Sequence, residues 1–414
     1  MKKVLLKGPI LSMSGYGEQT RFAFRSLIES GKYDVYVNII KWGNTGWLWR
    51  DTEERQLIDL LVKKTVEYSK SPAFTGFDMS IQVTIPDEWE NLAKYNVGYT
   101  AGIETDRVSY QWLQKANEMD KVIVVSDHSK AVFESSVYTM TDEARNMQKQ
   151  ILLKTPIDSV GFPYQKPKLL NKNSSFDIEP KDDFNFLLMA QISPRKNVFN
   201  SLRWFMEEFK NEEVGLVLKV SSGNDSIIDY YRTKERLDAL LRDFKDRKCS
   251  VYILHGNLES AEIEMLYNHS KIKSLISLTH GEGFGLPMFE ASCNGLPVIT
   301  TGWSGQVDYL YQKQGKKIKP MFAPVKYKLS HIPPEAIWEP ILTKGSKWCY
   351  PDENASKRLM RDMYENYEKY HKRAKKLKSI LCKEYTFENQ SKLFVDALGD
   401  QSDSISSSDN VMVL

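Results

Sequence analysis

Short apolar runs recur along the chain, and stretches with helical periodicity lie between them. In the first half these runs cover residues 4–6, 35–40, 79–85, 97–101 and 122–125, and in the second half 184–189, 215–220, 251–255, 274–279 and 297–300. Strands that alternate with helices form mostly parallel sheets that the helices cover. The sequence therefore predicts an α/β fold with two doubly wound, Rossmann-like domains that face each other across a cleft.

Changes in composition mark the predicted domain limits. A segment at 165–183, rich in Lys, Pro, Asn and Ser, lacks apolar periodicity and fits a connector between the two cycles. After Gly399 the chain is polar and rich in Ser and Asp, which cannot offset the ordering entropy. We predict a first domain at 1–175, a second at 176–385, a C-terminal helix at 386–399 that packs back toward the first domain, and a disordered tail at 400–414.

Composition and charge exclude several classes of protein. The chain has 57 Lys and Arg against 54 Asp and Glu, and its net charge of +3 gives no general reason to bind nucleic acid. It has no apolar run of about 18 residues, so at most a peripheral membrane contact is expected. The four cysteines lie far apart without zinc-ligand spacing, which is typical of a reduced, cytoplasmic protein. The sequence does not indicate an oligomeric state.

The most informative motif lies at 280–291, His-Gly-Glu-Gly-Phe-Gly-Leu-Pro-Met-Phe-Glu-Ala, between a predicted strand and a predicted helix. Glycines let a ligand approach the backbone, and free N–H groups at a helix start attract an anion. Glu290, in the first helical turn, can accept hydrogen bonds from a ribose diol, and Glu282 can reach another part of the same ligand. A simple turn with acidic capping residues is the alternative explanation for the glycines alone.

Two glutamates separated by seven residues, with Gly-Phe-Gly-Leu-Pro after the first, resemble the signature of retaining glycosyltransferases of the GT-B fold, in particular glycosyltransferase family 4. The likeness continues through 295–300 and 303–305, and it is stronger over the second half than over the first. The resemblance implies a nucleotide-sugar donor whose ribose binds Glu290. It also implies that Glu282 holds the sugar hydroxyls together with the turn formed by Gly283, Phe284, Gly285 and Leu286.

In such enzymes basic residues at the start of the second domain bind the diphosphate. This chain has Ser-Pro-Arg-Lys-Asn at 193–197, after a predicted strand. Arg195 and Lys196 are therefore predicted to neutralise the diphosphate and, with Glu282, to form the catalytic set. An exposed basic turn is the alternative. Many relatives carry a further arginine where this chain has Gln191, which can donate a hydrogen bond but adds no charge.

Two further loops are predicted to contact the donor. The loop Ser-Gly-Tyr-Gly-Glu-Gln-Thr-Arg at 14–21 resembles the family's first loop, so Gly15 and Gly17 are expected to face the donor phosphates. A tight turn would also explain these two glycines. The loop that contains Gly256 and Asn257 is expected to touch the base, as similar loops do in relatives.

The acceptor side is less defined. Many relatives bring a histidine into the cleft after the fourth strand, where this chain has Glu104 and Asp106. These two residues are candidates for a cleft role, although both can also cap a helix start. Trp47, in an aromatic loop at 42–49, can stack on an acceptor sugar, whereas core packing is the common use of tryptophan. We interpret His128 as a surface or capping residue.

The sequence contains no motif that is typical of a metal site or of a serine hydrolase. The chain has no Asp-x-Asp triplet, no Gly-x-Ser-x-Gly elbow and no phosphate loop of the Gly-x-x-x-x-Gly-Lys-Ser/Thr type. We therefore expect neither a metal nor another cofactor, and the helix start together with Arg195 and Lys196 has to replace the cation.

The sequence predicts a retaining glycosyltransferase that moves a hexose-type sugar from a nucleoside diphosphate to an acceptor hydroxyl of a glycan, a lipid or another molecule. One alternative is a related binding or scaffold protein with weak turnover. Another is a nucleotide-cofactor oxidoreductase, although Thr20 stands where the third glycine of a dinucleotide fingerprint would follow Gly15 and Gly17.

Overall fold

The structure, a computed structural model, describes residues 1–142, 147–164, 166, 177–224 and 226–399. The strands of the first half are β1 (Lys2–Gly8), β2 (Tyr33–Ile39), β3 (Met79–Val83), β4 (Tyr95–Thr100), β5 (Lys121–Val124), β6 (Tyr138–Asp142), β7 (Met147–Ile151) and β8 (Ile157–Ser159). Its helices are α1 (Gly15–Ser30), α2 (Glu53–Lys70), α3 (Tyr110–Ala116) and α4 (Asp127–Ser135).

The first sheet has the strand order β2-β1-β3-β4-β5-β8, and every neighbouring pair is parallel. All five residues of β3 are buried, as expected for a central strand of a parallel sheet that is covered on both faces. Helix α1 begins where the side chain of Ser14 accepts the amide of Gly17, and it ends before Gly31 in the left-handed conformation.

The second half repeats this alternation. Its strands are β9 (Asn185–Gln191), β10 (Gly215–Ser221), β11 (Ser250–Leu254), β12 (Ile272–Ser277), β13 (Val298–Thr301), β14 (Tyr311–Gln314), β15 (Lys317–Pro320), β16 (Ala323–Val325), β17 (Tyr327–His331) and β18 (Lys347–Pro351). Its helices are α5 (Val198–Phe209), α6 (Ile227–Leu241), α7 (Ser260–Tyr267), α8 (Leu286–Cys293), α9 (Val307–Leu310), α10 (Glu353–Glu365), α11 (Tyr367–Glu384) and α12 (Phe387–Ala397).

The second sheet has the order β11-β10-β9-β12-β13-β16, and its neighbouring pairs are also parallel. In both sheets the order turns back on itself beside the first strand, β1 or β9, which is the arrangement of a doubly wound sheet. The predicted fold class is therefore confirmed, and the predicted strands correspond to strands that end within one or two residues of the expected positions.

The segment after α9 was not predicted. It forms the antiparallel hairpins β14-β15 and β17-β18, with β16 added to the sheet between them. The chain between β17 and β18 reaches the first half, where Ile341 and Leu342 pack against the apolar cluster around Trp112. The amide of Lys347 donates to Asp106 at 2.7 Å. This segment therefore holds the two halves together on one side.

The C-terminal part returns to the first half. Helices α10 and α11 meet at Asn366, whose backbone leaves the helical conformation. Phe394 of α12 lies 5.6 Å from the ring of Phe22 and 5.3 Å from that of Tyr99. Of the predicted connector at 165–183, the structure describes only 166 and 177–183. The predicted tail at 400–414 lies outside the described residues.

Among the residues that the structure describes, no helix has both the length and the apolar character that a membrane crossing requires.

Candidate functional site at the ends of the two sheets

The two sheets meet through loops that follow the carboxyl ends of their strands. A Cβ on Gly283, in the loop after β12, would lie 2.4 Å from the carbonyl oxygen of Ala101, in the loop after β4. A Cβ on Gly281 would lie 2.4 Å from the carbonyl oxygen of Glu104. Both positions require glycine because two backbones approach each other closely. The motif at 280–291 thus lies where the halves touch.

Three consecutive amides in this motif have no acceptor. The N–H groups of Gly283, Phe284 and Gly285 donate to no atom of the described residues, although all three residues are buried. Tyr309 donates its hydroxyl to the carbonyls of Phe284 and Gly285, at 3.1 and 2.8 Å, so the carbonyl side of the turn is held in place. Buried amides are nearly always paired in folded proteins. The turn therefore favours a ligand that brings acceptor oxygens.

The turn leads directly into α8. Gly285 stands before the helix at φ 88°, in the left-handed region, and provides no side-chain cap. Pro287 occupies the first turn, where its missing N–H leaves no hydrogen bond unmade. The positive end of the helix dipole therefore remains available to a negatively charged group.

Four charged side chains form a cluster beside the turn. Lys196 Nζ lies 2.5 Å from Glu282 Oε1, and Arg195 Nη1 lies 3.1 Å from Glu282 Oε2. Arg195 Nη2 lies 3.0 Å from Glu104 Oε1, and its Nη1 donates to the carbonyl of Gly281 at 2.6 Å. Burial alone would raise the pKa of Glu282, but the charges of Lys196 and Arg195 outweigh it and lower the pKa to about 2. This carboxylate is therefore ionised at neutral pH.

The basic turn at 193–197 is fixed against the end of β12. The amide of His280 donates to the carbonyl of Arg195 at 2.8 Å, and the side-chain amide of Asn197 donates to the carbonyl of Leu278 at 3.1 Å. Asn197 has φ 52°, a left-handed conformation that asparagine tolerates better than most residues. The alternative of a freely exposed basic turn is therefore wrong. Gln191 is exposed and donates to the carbonyl of Gly223 at 3.4 Å.

Glu290 lies on α8, partly buried, in the second helical turn and not in the first turn that the sequence predicted, because α8 begins at Leu286. The hydroxyl of Tyr267 donates to its carboxylate at 3.0 Å. Burial raises the pKa of Glu290 to about 7, against the effect of that hydrogen bond, and the charge of Glu18 on α1 adds to the increase. Glu290 is thus a carboxyl group poised to lose its proton when a hydrogen-bond donor or a positive charge arrives.

The glycines of the first half differ in their surroundings. A Cβ on Gly15 would meet no atom within 4 Å, whereas a Cβ on Gly17 would lie 1.9 Å from the carbonyl oxygen of Ser12. Tyr16, between them, hydrogen-bonds the hydroxyl of Thr100 at 2.8 Å. Gly15 therefore faces open space, and Gly17 is required by the packing of the turn. The structure brings this loop next to the strand that ends at the contact between the halves.

Gly256 and Asn257 lie farther along the second sheet, after β11 at its edge. Gly256 has φ 106°, and its carbonyl accepts a hydrogen bond from Lys219 at 2.5 Å. Asn257 is exposed. Arg50, which directly follows the aromatic loop, lies 2.5 Å from Glu259, two residues after Asn257. Among the described residues, no hydrogen bond or ion pair joins Gly256 or Asn257 to the charged cluster.

The three candidate residues for the acceptor side have different surroundings in the structure. Glu104 joins the cluster through Arg195, whereas Asp106 binds the amide of Lys347. Neither caps a helix, because the N-cap of α3 is Ser109. Trp47 is 46% exposed, so the alternative of core packing is wrong. Its backbone pairs with Ser12 in an isolated bridge beside the first glycine loop.

Several residues that hold the site were not singled out from the sequence. Ser304, at φ 73°, accepts the amide of Glu282 at 2.9 Å and thereby fixes the position of that residue. His128 packs its ring against Trp303 at 4.9 Å, and burial lowers its pKa to about 4. The cap of α4 is Ser126, so the interpretation of His128 as a surface or capping residue is wrong. The only sequence signal for Ser304 was its place in the Trp-Ser-Gly segment.

Within the described parts of the chain, no three His, Cys, Asp or Glu side chains are grouped so that they could hold a metal ion.

Residues 171–318 match the family of glycosyl transferases group 1. No curated protein sequence matches the chain at a significant level. Among solved structures, a sucrose-phosphate synthase from Thermosynechococcus elongatus is 13% identical, with a TM-score of 0.60 over 96% of this chain and 98% of that one. A glycosyltransferase from Rickettsia africae is 11% identical, with a TM-score of 0.57 over 96% and 97%. HepE from Anabaena, in complex with UDP and glucose, is 14% identical, with a TM-score of 0.54 over 96% and 99%.

At these identities the solved structures show a common fold, and the family match lies over the glycine turn, Lys196 and Glu290. Residues 171–318 thus form a domain of the glycosyl transferases group 1 family, and the chain as a whole has the GT-B fold of the solved glycosyltransferases.

Proposed function

We propose that the protein is a retaining, metal-independent glycosyltransferase that moves a hexose-type sugar from a nucleoside diphosphate to an acceptor hydroxyl. The observation that carries this proposal is the set of three buried amides, at Gly283, Phe284 and Gly285, that have no acceptor among the residues the structure describes. They lie beside the ion pair of Lys196 and Glu282. A phosphorylated sugar supplies both the acceptor oxygens for the amides and the negative charge for the lysine.

Each group then has a role toward the donor. Lys196, Arg195 and the positive end of α8 bind the diphosphate and stabilise the charge that grows on it as the sugar leaves. Glu282 accepts hydrogen bonds from the sugar hydroxyls, and Glu290 accepts them from the ribose. Gly15 and Gly17 border the phosphates from the first half, and the loop with Gly256 and Asn257 borders the base.

The reaction we propose is a front-face substitution. The acceptor hydroxyl attacks the anomeric carbon on the side from which the diphosphate departs. The bond from that carbon to the phosphate oxygen breaks, the new glycosidic bond forms, and the hydroxyl proton passes to the departing phosphate oxygen. Two sides of the cleft hold the reactants, which removes much of the entropy cost of bringing them together.

UDP is the first nucleotide to test, because HepE, which shares the fold, was solved with UDP and glucose. For the acceptor, we propose that the exposed ring of Trp47 stacks on a sugar or another flat apolar face. All four cysteines are free thiols, which agrees with a cytoplasmic location. Metal independence predicts that a chelator leaves the rate unchanged.

The decisive experiment compares two lysines at opposite ends of α5. Lys196 precedes the helix, and Lys210 follows it in an exposed ion pair with Asp246. We expect Lys196→Ala to lower transfer from UDP-, GDP- or ADP-sugars by roughly 100-fold, whereas Lys210→Ala stays near the parent rate. Glu290→Gln should raise the donor KM. If Lys196→Ala and Glu290→Gln transfer sugar as fast as the parent, the proposal is wrong.

A related binding protein with weak turnover is the second candidate. It is favoured by Gln191, which supplies no charge, and by Arg195, whose guanidinium already binds two carboxylates and a carbonyl. Such a protein would bind a nucleoside diphosphate and neither hydrolyse nor transfer the sugar. Calorimetric binding of the donor together with a turnover assay separates the two candidates.

A further inference from the structure

The ion pair between Glu104 and Arg195 joins the two halves across the cleft. Glu104 belongs to the loop after β4, and Arg195 belongs to the basic turn after β9. Their closest atoms lie 3.0 Å apart, and both side chains are about three quarters buried. This ion pair is separate from the hydrogen bond between the Lys347 amide and Asp106, two residues after Glu104, which also joins the two halves.

The cluster carries no net charge in the ligand-free protein. Arg195 and Lys196 contribute two positive charges, and Glu104 and Glu282 contribute two negative ones. A diphosphate that enters here meets cations which are already neutralised, and the buried position makes each pairing stronger than it would be in water. Donor binding therefore requires one of the carboxylates to give up its partner.

The geometry indicates which carboxylate does so. Glu282 binds both cations, and its backbone is fixed by Ser304 on the same half. Glu104 binds only Arg195 within the cluster, and it lies on the other half of the protein. Separating Glu104 from Arg195 breaks one contact, whereas moving Glu282 breaks two.

We propose that Glu104 competes with the donor's diphosphate for Arg195, so that donor binding breaks an ion pair between the halves and donor release restores it. This inference rests on the proposed function, because it assumes that a nucleoside diphosphate occupies the cluster. Glu104 is then a positioning residue: it acts on the ligand through Arg195. It weakens the binding of the nucleotide, and it favours release of the nucleoside diphosphate after transfer.

The experiment removes the charge of Glu104 and keeps its shape. Binding of UDP, GDP, ADP and inorganic pyrophosphate is measured by calorimetry for the parent, Glu104→Gln and Asp106→Asn. We expect Glu104→Gln to bind the preferred nucleotide and pyrophosphate roughly tenfold more tightly at low salt, and less so at high salt, because salt screens the freed charge. Asp106→Asn removes the same charge two residues away without touching Arg195, and its affinity should stay within about twofold of the parent.

Kinetics supply the second readout. With a turnover assay, Glu104→Gln should lower the donor KM and also lower kcat, because the product nucleotide leaves more slowly. A supporting role for Glu104 would instead weaken binding in Glu104→Gln and reduce its thermal stability. Unchanged or weaker nucleotide binding in Glu104→Gln overturns the inference while the proposed function stands. If the parent binds none of the four ligands, the proposed function fails, and this inference fails with it.

Discussion

Two glycine-bearing turns lie on opposite sides of the cleft, one before α1 and one before α8. In the first, Ser14 caps the helix: its hydroxyl accepts the amide of Gly17 at 3.1 Å, and its carbonyl accepts that of Glu18 at 2.9 Å. In the second, Gly285 has no side chain to cap with, and three amides in succession lack acceptors within the described part of the chain. The same glycine spacing thus occurs in one turn whose last amides are capped by Ser14 and in another turn that has no such cap.

The difference teaches that the residue before the helix decides which kind of turn forms. A serine in the capping position supplies an acceptor from the protein, whereas a glycine there leaves the helix start to be satisfied from outside. The following predictions test this contrast.

The largest effect is expected for Gly283→Ala. The added methyl group would lie 2.4 Å from the carbonyl oxygen of Ala101, so the two halves cannot keep their contact, and the unpaired amide would move. We expect kcat/KM for sugar transfer to fall by more than about 100-fold. A far-ultraviolet circular dichroism spectrum like that of the parent would show that the loss is local. Activity close to that of the parent would mean that this turn does not hold the donor.

Gly17→Ala should act on stability. The added methyl group would lie 1.9 Å from the backbone oxygen of Ser12, which cannot give way without distorting the turn. We expect the free energy of unfolding to fall by about 1–3 kcal/mol in urea denaturation, with a corresponding loss of active protein. A variant as stable as the parent would show that the first turn is less tightly packed than the structure indicates.

The pH dependence of donor binding reports on Glu290. Its pKa is about 7 in the ligand-free protein, and ribose hydroxyls donate to its ionised form, so the bound donor lowers this pKa and binding releases a proton. Affinity should therefore rise as pH increases toward about 7, by at most roughly tenfold per unit, and level off above it. Calorimetry of Glu290→Gln should show weaker binding without this rise. A rise that persists in Glu290→Gln must come from another group.

Gly15→Ala should have the smallest effect. The added methyl group meets no protein atom within 4 Å, and alanine favours a helix over glycine by up to about 1 kcal/mol, so thermal stability should stay equal or increase slightly. Any loss of donor affinity, which we expect to be about two- to fivefold, then reports contact with the ligand itself. No loss at all would remove Gly15 from the donor site.

The alternation of apolar runs was sufficient to predict the fold class and five strands of each sheet, because buried parallel strands are short, continuous and apolar. The three-residue edge strands β8 and β16 were missed. The family could also be predicted, since the motif at 280–291 is long and distinctive. The oxidoreductase alternative is wrong, because the family match assigns the same half to glycosyltransferases. The hairpins between β14 and β18 were missed because their residues are largely exposed and show little apolar alternation.

Details of the site depend on contacts between residues far apart in the chain. The sequence places Arg195 next to Lys196, but it does not show that Arg195 forms an ion pair with Glu104 while Lys196 forms one with Glu282. Likewise, the positive φ of Ser304 and the hydroxyl of Tyr309 follow from the packing of the loop after β13. Local pattern supplied the candidate residues, and tertiary packing determined their partners.

The segment between β17 and β18 joins the two halves of the protein on one side. On that side apolar side chains and a hydrogen bond from the Lys347 amide to the Asp106 carboxylate join the halves, whereas Arg50 and Glu259 meet in an ion pair whose arginine is more than half exposed. Exposed ion pairs contribute little free energy, so the halves should part there first. We therefore expect thermal motion to separate Arg50 from Glu259 before it separates Leu342 from the apolar cluster around Trp112.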